Sequence, residues 1–288
     1  MTDRLAVLGS PIAHSKSPVL HRAAYSVLGL DWSYEAVEVA GDGLPGFLDA
    51  LGPEWRGLSL TMPLKRDVLP MLDHHDELVE LTGAANTVVL GDHGHGERGR
   101  RGYNTDVNGI AEAFRQAGVT VLSDVLVLGG GATAASAVVA MAELGAARLG
   151  IALRDPARAG QLVALGERLG LVVSVERIGD PVPPVDAVVS TIPGAAEFSL
   201  RVDPAVMAGS TFFDVAYDPW PTPLAARWLA AGGRVIPGIE MLVNQALLQV
   251  RLFVSADANL ELPGEAAVLD AMRAAVGLGP ARSEPAPS

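Results

Sequence analysis

The sequence predicts an α/β protein of two domains built on mainly parallel sheets. Short apolar strands alternate with amphipathic helices along most of the 288 residues, the pattern of crossover connections between parallel strands. A chain of this length fills two cores of ordinary size more readily than one large one. From Val125 onward a buried strand runs straight into three consecutive glycines and an alanine-rich helix.

Composition narrows the partners. Hydrophobic residues make up 49% of the chain and aromatics 5%, which suits a packed globular protein and leaves little surface for stacking on nucleobases. A formal charge of −12 opposes phosphate backbones and acidic membranes, so neither nucleic acid nor membrane is expected as a partner, and an anionic ligand must be held by local groups. The absence of cysteine removes disulfides, thiolate chemistry and sulfur-ligated metals together. No apolar run reaches the length of a membrane span or a signal-peptide core, so a cytoplasmic protein, monomer or homodimer, is expected.

Leu5 to Leu8 reads as the first strand, opening into Gly9-Ser10-Pro11-Ile12-Ala13-His14-Ser15-Lys16-Ser17-Pro18. Ser17 and Pro18 suit the N-cap and first position of a helix whose apolar face is expected to carry Val19, Leu20, Ala23, Ala24, Val27 and Leu28, with Gly29 ending it. Ser15 and Ser17 either cap that helix or form a small anion site at its N-terminus. A strand over residues 32–39 and a short helix over 44–51 lead to Leu58-Ser59-Leu60-Thr61-Met62-Pro63-Leu64-Lys65. Pro63 cannot donate to a ladder, so the strand stops there and delivers Thr61 and Lys65 to its carboxyl end, where open α/β sheets keep their sites.

A helix is expected over 76–81, and then Asn86 precedes an apolar strand, as a turn residue or as an amide that orients a polyol. Residues 91–102 read as the tip of a loop or hairpin; its His93 and His95, like His74 and His75 before it, are expected to be solvated rather than metal-bound. Asp106 falls in the first turn of a helix running to about Ala117, where it either caps or pairs with a lysine from a strand end.

The second domain opens with strand Val125 to Leu128 and the loop Gly129-Gly130-Gly131-Ala132-Thr133-Ala134. This G-x-G-x-x-A spacing, with strand before and helix after, lets backbone approach a pyrophosphate resting on the helix N-terminus, as in a Rossmann-like, doubly wound dinucleotide fold. After the next strand come Arg154, Asp155 and Arg158. Two guanidiniums suit a 2′-phosphate and hence NADP, whereas Asp155 keeps NAD open. Thr191 and Val215 lie at the ends of later strands and are expected to border the cofactor crevice. A long helix opens at Gly238, with Leu242, Gln245, Leu248 and Leu252 sharing a face, and a final helix spans about 263–276. Residues 279–288, rich in proline, serine and alanine, are expected to be disordered.

Taken in order, Gly9 to Pro18, Thr61-Met62-Pro63-Leu64-Lys65, Gly83-Ala84-Ala85-Asn86-Thr87, Asn104-Thr105-Asp106, the glycine loop and Met241-Leu242-Val243-Asn244-Gln245 resemble the shikimate dehydrogenase family. The resemblance implies an enzyme that reduces 3-dehydroshikimate with NADPH in aromatic amino-acid biosynthesis. It implies Lys65 and Asp106 as the catalytic pair, and Ser15, Ser17, Thr61, Lys65, Asn86, Asp106 and Gln245 around the substrate. Tyr217, Gly238 and Met241 match positions bordering the substrate or nicotinamide. It also implies a discontinuous substrate domain, 1–105 with 239–278, around a cofactor domain, 106–238. Leu153-Arg154-Asp155 stands where many members have Asn-Arg-Thr, so an NAD-preferring quinate/shikimate dehydrogenase is the alternative within enzymes, and a metabolite-sensing relative without turnover the alternative outside them.

Overall fold

The computed structural model of the chain describes residues 3–92, 98–194 and 198–280. His93 and His95, and all but the first two residues of the 279–288 tail, lie outside them. The chain divides into two compact units, Met1–Thr105 with Val243–Ser288, and Asp106–Leu242. The first carries β1 (Arg4–Gly9), α1 (Ser17–Leu28), β2 (Ser33–Glu38), α2 (Leu44–Asp49), β3 (Trp55–Leu60), α3 (Leu64–Asp67), β4 (His74–His75), α4 (Glu77–Thr82), β5 (Thr87–Asp92) and β6 (Arg98–Tyr103). The second carries α5 (Asp106–Gln116), β7 (Asp124–Leu128), α6 (Ala132–Glu143), β8 (Arg148–Leu153), α7 (Gly160–Arg168), β9 (Val172–Arg177), β10 (Ala187–Ser190), α8 (Pro204–Gly209), β11 (Thr211–Asp214), α9 (Pro223–Ala230) and β12 (Arg234–Pro237). Helix α10 (Gly238–Ser255) contains the division, after Leu242, and α11 (Glu265–Ala275) returns to the first unit.

The first unit's sheet has the order β2-β1-β3-β5-β6-β4. β1 pairs in parallel with β2 and β3, but β5 runs antiparallel to both β3 and β6. Ala6 and Leu8 face a cluster with Leu58, Leu60, Val88, Leu44 and Leu64, while Leu5 and Val7, also buried, point the other way by the two-residue period of a strand. Each fully buried leucine of such a set stabilises the fold by about 1.5–3 kcal/mol. α10 lies close over β3, because a Cβ on Gly57 would run into the Phe253 ring. Arg56 then donates to the carbonyls of Phe253 and Val254, closing the end of that helix.

Every pairing in the second sheet is parallel, and its order is β12-β11-β10-β7-β8-β9. Counted along the chain this is the 3-2-1-4-5-6 order of the doubly wound dinucleotide fold, whose switch point lies between its first and fourth strands, here β7 and β10. The apolar cluster beneath it includes Leu126, Leu128, Val188, Phe212 and Trp228. Trp228 stacks on Phe212 at 4.6 Å and donates its indole N–H to Ser210 Oγ at 3.1 Å, so its polar edge is not left orphaned.

Two expectations need correction. Ser17 is the first helical residue rather than the cap: Lys16 holds the cap position without a side-chain bond, and the Ser15 hydroxyl accepts the Ser17 N–H at 3.3 Å. In α1, Val19 and Val27 are exposed while His21 and Tyr25 are buried, because the helix packs against α11 as well as the sheet and that rotates its inner face. Of the loop or hairpin expected over 91–102, the hairpin is what forms: β6 pairs antiparallel with β5, and that ladder overrides a sequence of arginines and glycines with little strand propensity of its own.

Candidate active site

One edge of the first sheet gathers polar side chains. β1 and β3 end there, antiparallel β5 begins there, and β6 ends there, so the loops after Gly9, Leu60 and Tyr103 meet the residue before Thr87. Backbone bonds lock this edge: Thr61 N donates to Leu8 O at 2.9 Å, Ser10 N to Met62 O at 3.0 Å and Leu60 N to Asn86 O at 2.7 Å. Lys65, half-buried, sits in α3, whose first turn is held by Leu64 N donating to Thr61 O at 2.8 Å. The Lys65 carbonyl in turn accepts Ala85 N at 2.8 Å, tying the lysine to the strand that presents Asn86.

Asn86, 2% exposed, is the centre of this edge. Its Oδ1 accepts the Thr105 N–H at 2.9 Å and the Thr87 hydroxyl at 2.8 Å. Its Nδ2 donates to Thr105 Oγ1 at 2.9 Å and to Gln245 Oε1 at 3.2 Å. Asn86, Thr105 and Gln245 are thus brought into one cluster, and Ser15 and Ser17 into another at the start of α1. Thr61 is half-buried at the head of α3. Asn104, beside Thr105, is spent on structure, donating to Thr82 Oγ1 at 2.8 Å and Ala84 O at 3.0 Å.

Asp106 follows Thr105 directly and is the first residue of α5 in the second unit; it is buried. Lys65 and Asp106 therefore fall on opposite sides of the division between the units. At the switch point, Gly129 has φ +107° and a Cβ there would lie 2.6 Å from Thr191 Oγ1, so only glycine fits without strain. The Thr191 hydroxyl donates to Leu128 O at 2.8 Å. Gly131 caps α6 without any side-chain bond, which leaves the helix N–H groups to an anion, and Ala132, Thr133 and Ala134 form the first turn. These features fit a dinucleotide.

At the end of β8, Arg154 and Arg158 are both exposed. Asp155 is engaged locally, its carboxylate accepting the Ala157 N–H at 3.2 Å as a cap. Sequence reasoning missed Arg177, which ends β9 and donates to the Arg154 carbonyl at 3.0 Å; only the pairing of β8 with β9 brings it there. Val215 and Tyr217 follow β11 and are half-buried. A Cβ on Gly238 would overlap the Val215 carbonyl, so α10 starts in contact with the end of β11, and Met241 is buried one turn on.

A doubly wound unit with a bare glycine turn, joined to a second α/β unit with a lysine and a cluster of amides and hydroxyls at its strand ends, defines the class of two-domain dinucleotide-linked oxidoreductases. The comparisons narrow that class. Residues 7–88 match the model of the shikimate dehydrogenase substrate binding domain. A shikimate dehydrogenase (NADP(+)) of Methanothrix thermoacetophila is 37% identical over 94% of this chain and 97% of its own. The crystal structure of Mycobacterium tuberculosis shikimate dehydrogenase superposes with a TM-score of 0.80 at 40% identity, covering 94% of this chain and 99% of that one. The Thermus thermophilus enzyme in complex with NADP(H) and shikimate has a TM-score of 0.77 at 31% identity, covering 95% and 100%. This chain belongs to the shikimate dehydrogenase family.

Proposed function

We propose that this enzyme interconverts shikimate and 3-dehydroshikimate with NADP, in the route to aromatic amino acids, and that Lys65 and Asp106 handle the proton. The observation that carries this reading is the polar edge of the first unit, where an amine, two amides and several hydroxyls converge on strand ends. A ring polyol with a carboxylate asks for that set. Ser15 and Ser17, at the start of α1, hold the carboxylate; Thr61, Asn86 and Gln245 hold the ring hydroxyls.

Bound NADP supplies the hydride chemistry. The chain must collect or deliver the accompanying proton, which needs a group within hydrogen-bond reach of the reacting oxygen. The Lys65 ammonium stabilises negative charge growing on that oxygen. In the second unit, Gly129, Gly130, Gly131, Ala132, Thr133 and Ala134 take the pyrophosphate. Arg154 and Arg158 take the 2′-phosphate, Thr191, Val215, Gly238 and Met241 border the nicotinamide, and Tyr217 borders the substrate. The capping role of Asp155 favours NADP over NAD, because that carboxylate already has a partner.

Initial rates with NADP and NAD, each against shikimate and quinate, test the reading. NADP with shikimate is expected to exceed the other three combinations. A preference for NAD overturns the cofactor assignment, and no turnover of shikimate overturns the substrate.

A further inference from the structure

Behind the polar edge, the first unit buries a chain of uncharged groups that no part of the reaction uses directly. His21 is fully buried in α1, stacked on Tyr34 with ring centroids 3.9 Å apart. Its Nε2 lies 3.2 Å from Gln249 Oε1 and its Nδ1 3.1 Å from the Tyr25 hydroxyl. Ser59 Oγ donates to the same Gln249 Oε1 at 2.8 Å and accepts from the Tyr34 hydroxyl at 2.6 Å. On its other side Gln249 donates from Nε2 to Asn86 O at 3.2 Å and Thr87 Oγ1 at 2.9 Å. The Thr87 hydroxyl then donates to Asn86 Oδ1.

Two backbone groups tell the oxygen from the nitrogen of each amide in this chain. A main-chain carbonyl only accepts, so the end of Gln249 that meets Asn86 O is its nitrogen and the end that meets His21 is its oxygen. His21 Nε2 must then carry the proton, and Nδ1 accepts from Tyr25. The Thr105 N–H only donates, so it selects the oxygen end of the Asn86 amide and turns Nδ2 toward Gln245 Oε1. With its oxygen turned to Asn86, Gln245 meets other partners through its NH₂ branch.

We propose that His21 and Gln249 are positioning residues for the substrate pocket: the Nε2–H tautomer of His21 holds Gln249 so that it aligns Asn86 and, through Asn86, the donor end of Gln245. This rests on the reading of Asn86 and Gln245 as substrate ligands. Burial lowers the His21 pKa to about 3, so the imidazole orients without titrating in the working range and takes no part in proton transfer.

Steady-state kinetics on His21→Leu, His21→Gln, Gln249→Met and the His21→Leu/Gln249→Met double variant test it. Loss of one oriented bond should raise KM for shikimate about tenfold, with KM for NADP unchanged and kcat altered less. His21→Gln, which keeps an N–H donor, should recover most of the loss, and the double variant should be no worse than Gln249→Met alone, since the two act in series. Unchanged shikimate KM in the single variants, additive effects, or a parallel rise in both KM values overturns the positioning role. Gln245→Ala separates the layers: a normal shikimate KM there overturns the reading of the pocket and this role with it. A raised KM there beside unaffected His21 and Gln249 variants overturns this role alone. Nitrogen NMR of the unaltered protein should find His21 protonated on Nε2 from pH 6 to 8, and the Nδ1–H form would overturn the assignment.

Discussion

His21, Asn86, Asn104, Asn244, Gln245 and Gln249, which are all the buried histidines and amides among the described residues, belong to the first unit. The second unit buries Val125 to Leu128 and the alanine-rich inner face of α6, and its buried polar side chains there are hydroxyls and two carboxylates, Asp106 and Asp214. On the proposed site assignment, one unit recognises its ligand with side chains whose directions are set by hydrogen bonds. On that reading the other presents backbone, at a glycine turn whose first position admits no side chain. A small metabolite with three hydroxyls and a carboxylate offers many directional contacts, whereas a pyrophosphate is held by N–H groups that any sequence supplies once the turn is bare.

That contrast can be broken by substitution. The largest effect is expected from Lys65→Ala, with kcat lower by about 10²–10⁴-fold, the usual contribution of a positioned proton-handling group, and a smaller change in KM; near-normal turnover would remove Lys65 from the chemistry. In the second unit one added methyl should suffice. Gly129→Ala places a Cβ against Thr191 at φ +107°, and strain of about 1–3 kcal/mol should raise KM for NADP while leaving that for shikimate. An effect on shikimate alone would contradict the division of labour. Arg158→Ala should lower the NADP over NAD preference about tenfold, measured as the ratio of kcat/KM values.

The smallest effect is on stability. His21 ionises near 6.5 when unfolded and near 3 when folded, so between those values the unfolded chain binds a proton that the folded one does not. Its contribution is complete above pH 6.5 and erodes as pH falls below it, by about 1.4 kcal/mol per unit. Denaturation midpoints of the natural protein and His21→Leu between pH 7 and 5 should therefore converge on acidification, and parallel curves would count against a neutral buried imidazole.

Much of this was legible beforehand. The strands around the glycine loop declare themselves by apolar runs bounded by turn residues, Lys65, Asn86 and Asp106 by their places at the ends of elements, and Gln245 as an amide on an otherwise apolar helix face. Gln249 was not singled out, although Gln245 and Gln249 stand one helical turn apart, which is the signal that would have found it. His21 and Tyr25 were hidden because periodicity reports a helix's apolar stripe and not a polar seam between two layers. Arg177 was invisible for a different reason: its meeting with Arg154 is a strand-pairing contact between residues 23 apart, and pairing partners are not written in local sequence.

Each link from Tyr25 through Gln249 to Gln245 is a neutral dipole rather than an ion. Dissolved electrolyte acts on net charge, over a Debye length of about 10 Å at 0.1 M, and finds nothing to screen there. On the proposed assignment, the exposed guanidiniums of Arg154 and Arg158 enjoy no such immunity, so brine would weaken the hold on the nucleotide's 2′-phosphate before it disturbs this buried chain of dipoles.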